Sequence, residues 1–109
     1  MTAHLGDLEQ LVLLALLRLA PEAYGVAIAE ELDRRAGRPV SLGTVYKTLA
    51  RLERKGYVRG RVGSPTPERG GRAKRYYELT GSGRRTLAAS LEAIQRLTAG
   101  LPVPKPRGW

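Results

Sequence analysis

Three helix stops govern what the first half of this 109-residue chain can become: Pro21, the Gly37–Pro39 pair and Gly56. Proline lacks the amide that a helix interior needs, and glycine takes the left-handed conformation that closes helices. Each stretch between the stops carries apolar residues at helical spacing, so three short helices are predicted. In the first, Leu8, Leu11, Val12, Leu14, Ala15, Leu16 and Leu17 leave almost no polar face, the pattern of a buried helix. It starts at Gly6 or Asp7, with Asp7 and Glu9 near its positive end. As a membrane span it is too short and is interrupted by Arg18.

The second helix is expected over Gly25 to Ala36, with Val26, Ile28, Ala29 and Leu32 inward. Glu30, Glu31, Asp33, Arg34 and Arg35 form its wet face. Ser41 is the expected N-cap of a third helix, from about Leu42 to Lys55. Leu42, Val45, Leu49 and Leu52 form its buried stripe, and Thr44, Lys47, Thr48, Arg51 and Arg54 lie off it.

Beyond Gly56 the period changes. Tyr57 to Val62 alternates apolar and basic residues, which predicts a half-buried strand, and Lys74 to Leu79 predicts a second. The Gly- and Pro-rich stretch from Gly63 to Ala73 is the loop between them. Thr80 caps a last helix, Gly81 to Ala99, with Leu87, Leu91, Ile94 and Leu97 on one side. With 42% apolar residues, 6% aromatic and no Phe, the core must be built from Leu, Val, Ile and Ala.

The order helix, helix, helix, strand, basic loop, strand, helix predicts an α+β, mainly α fold. It is the order of a winged helix-turn-helix, here over residues 1–79. A C-terminal dimerisation helix follows over 80–99 and a disordered tail over 100–109. A lone amphipathic helix leaves its apolar stripe exposed unless something covers it. The cover is either a second copy or the helix's own domain, and the dimer is the favoured expectation because it would space two reading helices about one DNA turn apart.

The net charge is +9, and it is unevenly placed. Between residues 54 and 75 the bases Arg54, Lys55, Arg59, Arg61, Arg69, Arg72, Lys74 and Arg75 face one acid, Glu68. General arginine enrichment would spread such charge; concentration on one region is the footprint of a polyanion partner. Ser41, Thr44 and Lys47 occupy the part of the third helix that approaches base edges in a major groove. Thr48, Arg51 and Arg54 suit phosphates. Tyr46 either packs on the domain or offers its hydroxyl to a phosphate. Arg69 and Arg72 suit a minor groove beside the permissive Gly70-Gly71 pair.

Other chemistries find little support. There is no cysteine, and the single histidine, His4, cannot build a metal site. Serines lack a general base, so a hydrolase is disfavoured, and the glycine pair lacks the strand–loop–helix setting of a nucleotide loop. No cofactor is expected. With no signal peptide and no membrane span, the expectation is a cytoplasmic protein. The expected partner is double-stranded DNA. The alternative is a winged-helix interaction module whose basic face docks an acidic protein.

Five stretches also carry a family resemblance. They are Leu5 to Leu17, Ala23-Tyr-Gly-Val-Ala-Ile28, Val40-Ser-Leu-Gly-Thr-Val-Tyr-Lys-Thr-Leu-Ala-Arg-Leu52, Lys55-Gly-Tyr-Val58 and Gly71-Arg-Ala-Lys-Arg-Tyr-Tyr-Glu-Leu-Thr80. Together and in this order they resemble the PadR family of transcriptional regulators, from Leu5 to about Ile94. The resemblance implies a homodimer that binds palindromic operators and usually represses. It implies DNA-proximal roles for Tyr24, Ser41, Thr44, Tyr46 and Lys47, with Lys74 and Arg75 at the wing. Tyr24 would begin the second helix and meet a phosphate, core packing being its alternative. Only one helix fits before the Pro-rich tail, as in the shorter branch of the family. Some relatives bind hydrophobic drugs at the dimer interface. The one tryptophan here, Trp109, lies in the tail, so an effector is possible but not indicated.

Overall fold

The computed structural model describes residues 5–63 and 74–102. Helices α1 (Asp7–Leu19), α2 (Gly25–Ala36) and α3 (Leu42–Arg54) precede strands β1 (Val58–Val62) and β2 (Arg75–Leu79), and α4 (Gly81–Thr98) follows. The helix stops act as the sequence predicts. Gly37 closes α2 at φ 63°, its amide bonded to the Leu32 carbonyl. Gly56 turns the chain from α3 into β1 at φ 80°. Ser41 caps α3 by accepting from the Thr44 amide at 3.1 Å.

The strands form an antiparallel hairpin in which Val58 faces Leu79, Gly60 faces Tyr77 and Val62 faces Arg75. Val58, Tyr77 and Leu79 therefore share one face, and that face joins the core. Behind it stand Val12, Leu13 and Leu16 of α1, Ile28 and Leu32 of α2, and Val45, Leu49 and Leu52 of α3. A pairing the sequence did not disclose lies between α1 and α2. Tyr24 bridges to Tyr76, and the Tyr77 amide donates to the Ala23 carbonyl at 2.9 Å. The hairpin is thus tied to the entrance of α2 as well as to the end of α3.

Four expectations about faces need correction. Leu42, expected on the buried stripe of α3, is exposed at the first position of the helix. Thr48 takes an inward place on that helix at 2% exposure. Its hydroxyl bonds to the Thr44 carbonyl at 2.8 Å, so it enters the core satisfied and is turned away from phosphates. Val26 of α2, expected inward, is exposed. Glu31, expected on the wet face of α2, is buried under Arg35 and Arg34, at 2.6 Å and 3.4 Å. The bond from Arg35 outweighs the burial and holds the Glu31 carboxyl below the ordinary carboxylate range.

α4 has two halves. Gly83 and Leu87 pack on the body, and Ser90 bonds to Gln10 of α1 at 2.6 Å. Past that point Leu91, Ile94 and Leu97 are exposed, Leu97 at 76%. The protruding helix contributes to a molecule extending 54 × 34 × 21 Å. Leu87, expected in a dimer interface, belongs instead to the core of its own chain at 3% exposure. Most of the tail expected to be disordered, residues 103–109, lies outside the described residues.

Candidate nucleic-acid interface

One face of α3 is held by Val45, Leu49 and Leu52, which leaves the opposite face free to meet a ligand. Ser41, Tyr46, Lys47, Arg51 and Arg54 are exposed there, and Thr44 is half-buried. The Ser41 and Thr44 hydroxyls lie 2.9 Å apart at the helix start. Of the two roles expected of Tyr46, the structure shows packing on the domain. Its ring covers Gly25 so closely that a Cβ there would lie 2.5 Å from the ring, yet the residue stays 45% exposed. Gly25 is therefore what lets α2 and α3 approach, a role that spacing alone did not reveal.

The base of the wing is cationic and aromatic. Lys74 places its ammonium 4.2 Å from the Tyr24 ring centroid. Tyr24 meets Tyr76 edge to face at 5.9 Å, and Arg61 lies 4.9 Å from the Tyr76 centroid. Arg61 also donates to the Pro21 carbonyl at 3.1 Å. This alternation of cation and ring joins the wing to the α1–α2 connection. Tyr24 is accordingly a half-buried member of that stack. Arg75, expected at the wing, stands at its base, bonded to Glu53 of α3 at 2.9 Å. Arg69, Arg72 and the Gly70-Gly71 pair lie outside the described residues.

A second contact anchors α3 from its far end. Glu9 of α1 is buried, accepts from the Gly6 amide at 2.8 Å, and takes both oxygens to Lys55 at 2.8 and 3.0 Å. Arg51 approaches it at 4.0 Å. Burial pushes the Glu9 carboxyl up. The bond from Lys55, the Gly6 amide and the charges of Lys55 and Arg51 outweigh that and hold its pKa below the ordinary 4.5. A carboxylate with a depressed folded pKa adds stability above its unfolded pKa, and that stability is lost as pH falls through the folded value. Glu9→Gln is therefore expected to cost about 2 kcal/mol at neutral pH. The gap to wild type should narrow once pH drops below about 4.5. Urea unfolding at stepped pH measures it, and a gap that stays constant down to pH 3 would contradict the assignment.

Three helices with a hairpin wing after the third, an exposed polar face on that third helix and a cationic wing base define a winged helix-turn-helix protein. Residues 13–89 match the transcriptional regulator PadR-like family. The chain is 38% identical over 76 residues to a transcriptional regulator of Mycobacterium tuberculosis (strain ATCC 25618 / H37Rv), across 70% of this chain and 66% of the relative. It thus spans just under two thirds of that relative's length. A PadR family transcription regulator from hypervirulent Clostridium difficile R20291 matches with a TM-score of 0.70 at 26% identity, over 85% of this chain and 95% of that one. A PadR family transcriptional regulator from Eggerthella lenta DSM 2243 matches at 0.65 and 28% identity, over 86% and 81%. The chain belongs to the PadR-like family of transcriptional regulators, and the family's role is regulation rather than catalysis. Among the described residues no helix is long and apolar enough to cross a membrane.

Proposed function

We propose that this chain is a homodimeric, sequence-specific DNA-binding repressor that reads a palindromic operator with α3. The observation that carries the reading is the division of α3: its apolar side is locked in the core while Ser41, Tyr46 and Lys47 project to solvent from its first half. Thr44 and Lys47 are placed for base edges, Arg51 for phosphates, and Tyr24 and Lys74 for the backbone beside the wing. Arg69 and Arg72, which lie outside the described residues, suit a minor groove by their sequence setting. The net charge of +9 suits a partner whose binding releases counterions. The exposed stripe of Leu91, Ile94 and Leu97 supplies the dimer contact, because a second copy burying it would also set two α3 helices against two half-sites. Repression is the role that the family resemblance carries.

Selection of bound sequences from random duplexes tests the reading. A palindromic consensus is expected, bound far more tightly than its scramble at physiological salt, with affinity falling steeply as salt rises. Equal binding of consensus and scramble would sink it and favour docking of an acidic protein. Lys47→Ala should weaken the selected duplex about tenfold and relax the preference at one position of each half-site. A uniform loss across all duplexes would instead make Lys47 a phosphate contact.

A further inference from the structure

The pair Arg75–Glu53 joins the two elements that the proposed reading brings to DNA, and its surroundings are shaped for it. Arg75 opens β2, and Glu53 stands in the last turn of α3. Their side chains meet at 2.9 Å. The guanidinium runs along the hairpin face shared by Gly60 and Tyr77, 5.5 Å from the Tyr77 ring centroid. A Cβ on Gly60 would lie 2.6 Å from Nη2 of Arg75 and 2.7 Å from its Cζ and Nε. Gly60 thus leaves the channel through which Arg75 reaches α3. On the hairpin's other face, Arg61 and Tyr76 hold the strands to the α1–α2 connection.

We propose that Glu53 and Arg75 form a strut that sets the angle between α3 and the wing, which makes Glu53 a positioning residue for sequence discrimination. The inference rests on the DNA-binding reading above. An acid beside a phosphate-binding surface opposes binding to every duplex, so as a lone charge Glu53 would be a handicap. Paired with Arg75 it acts through geometry. A reading helix and a wing that touch one duplex must be correctly inclined to each other, and a small misplacement costs the wrong and the right sequence unequally. Both side chains are substantially exposed, so the pair adds little to stability. Arg75 accordingly serves the wing through Glu53, whereas Lys74 lies over the Tyr24 ring.

The two ideas about Glu53 predict different changes in discrimination. Glu53→Ala removes the acceptor and adds one positive unit to the net charge, and a purely electrostatic effect would tighten binding to the selected palindromic duplex and to its scramble alike. The strut predicts that the ratio of the two dissociation constants falls by about fivefold while binding to the scramble holds or strengthens. Gly60→Ala alters no charge but pushes the guanidinium out of its channel, and should lower the ratio by a similar factor. The double variant should lose no more than either single one, because both break the same connection. Fluorescence anisotropy with the full chain measures all of these, and thermal melting checks that each variant is folded. An unchanged ratio in Glu53→Ala, or wild-type discrimination in Gly60→Ala, overturns the strut. If wild type itself fails to tell the selected duplex from its scramble, the DNA-binding reading falls and the strut's function with it.

Discussion

Replacing Ile94 with Glu should turn the proposed dimer into a monomer and weaken binding to a palindromic duplex by about a hundredfold, since two linked half-site contacts would become separate ones. Ile94 stands on the part of α4 that has left the body, at 49% exposure, so its loss removes little packing within the chain. The melting of the winged-helix body should consequently change little. Light scattering coupled to size exclusion gives the mass, and anisotropy gives the affinity. A variant whose mass is unchanged at micromolar concentration would remove α4 from the dimer contact. A monomer that still binds the palindrome at wild-type strength would detach dimerisation from recognition.

Gly83→Ala is expected to destabilise the fold by about 3 kcal/mol. A Cβ at this place in α4 would lie 2.0 Å from the Tyr57 carbonyl oxygen, a backbone atom with no side chain to swing aside. The same junction is held by the Thr80 amide, which donates to the Tyr57 carbonyl at 3.0 Å, and by the Thr80 hydroxyl, which donates to the Gly56 carbonyl at 2.6 Å. The added methyl must therefore move α4 against the end of α3 and the start of β1. For a domain of this size the fall in Tm should be about 10–20 °C. Gly43→Ala serves as the matched comparison. A Cβ there meets only the Ser41 hydroxyl, at 3.9 Å, and the helical position favours alanine. Its effect should stay within about 1 kcal/mol, and equal losses in the two variants would refute the steric account.

The elements of this fold were legible because their signals are local. The stops at Pro21, Gly37 and Gly56 act through their own φ angles and amides, and leucines three and four residues apart report helices whatever surrounds them. The cationic segment was legible for the same reason, since charge can be summed along a chain. Faces were less so. Thr48 and Leu42 are both off-centre on α3, and periodicity ranks Leu as the inward one. Leu42 stands at the first position of α3, outside the buried run that starts at Val45, and the Thr44 carbonyl offers the Thr48 hydroxyl a partner, so Thr is buried and Leu is exposed. Leu87 and Ile94 look alike in the sequence of α4, but the body reaches only as far as Ser90.

What the sequence by itself determined is the order of helices and strands, the core types, the winged-helix class and the region of positive charge. What the tertiary structure decided is which groups meet across long stretches of chain. Glu9 finds Lys55 forty-six residues away, and Arg75 finds Glu53 twenty-two residues away. Gly25 lies under Tyr46, and Gly83 lies against Tyr57. No spacing rule reaches such distances, because each of these meetings depends on how the turns set one element upon another. The stops at Pro21, Gly37 and Gly56 fix where those turns fall, while contacts such as Arg75 with Glu53 join α3 to the hairpin only once the turns have brought them together.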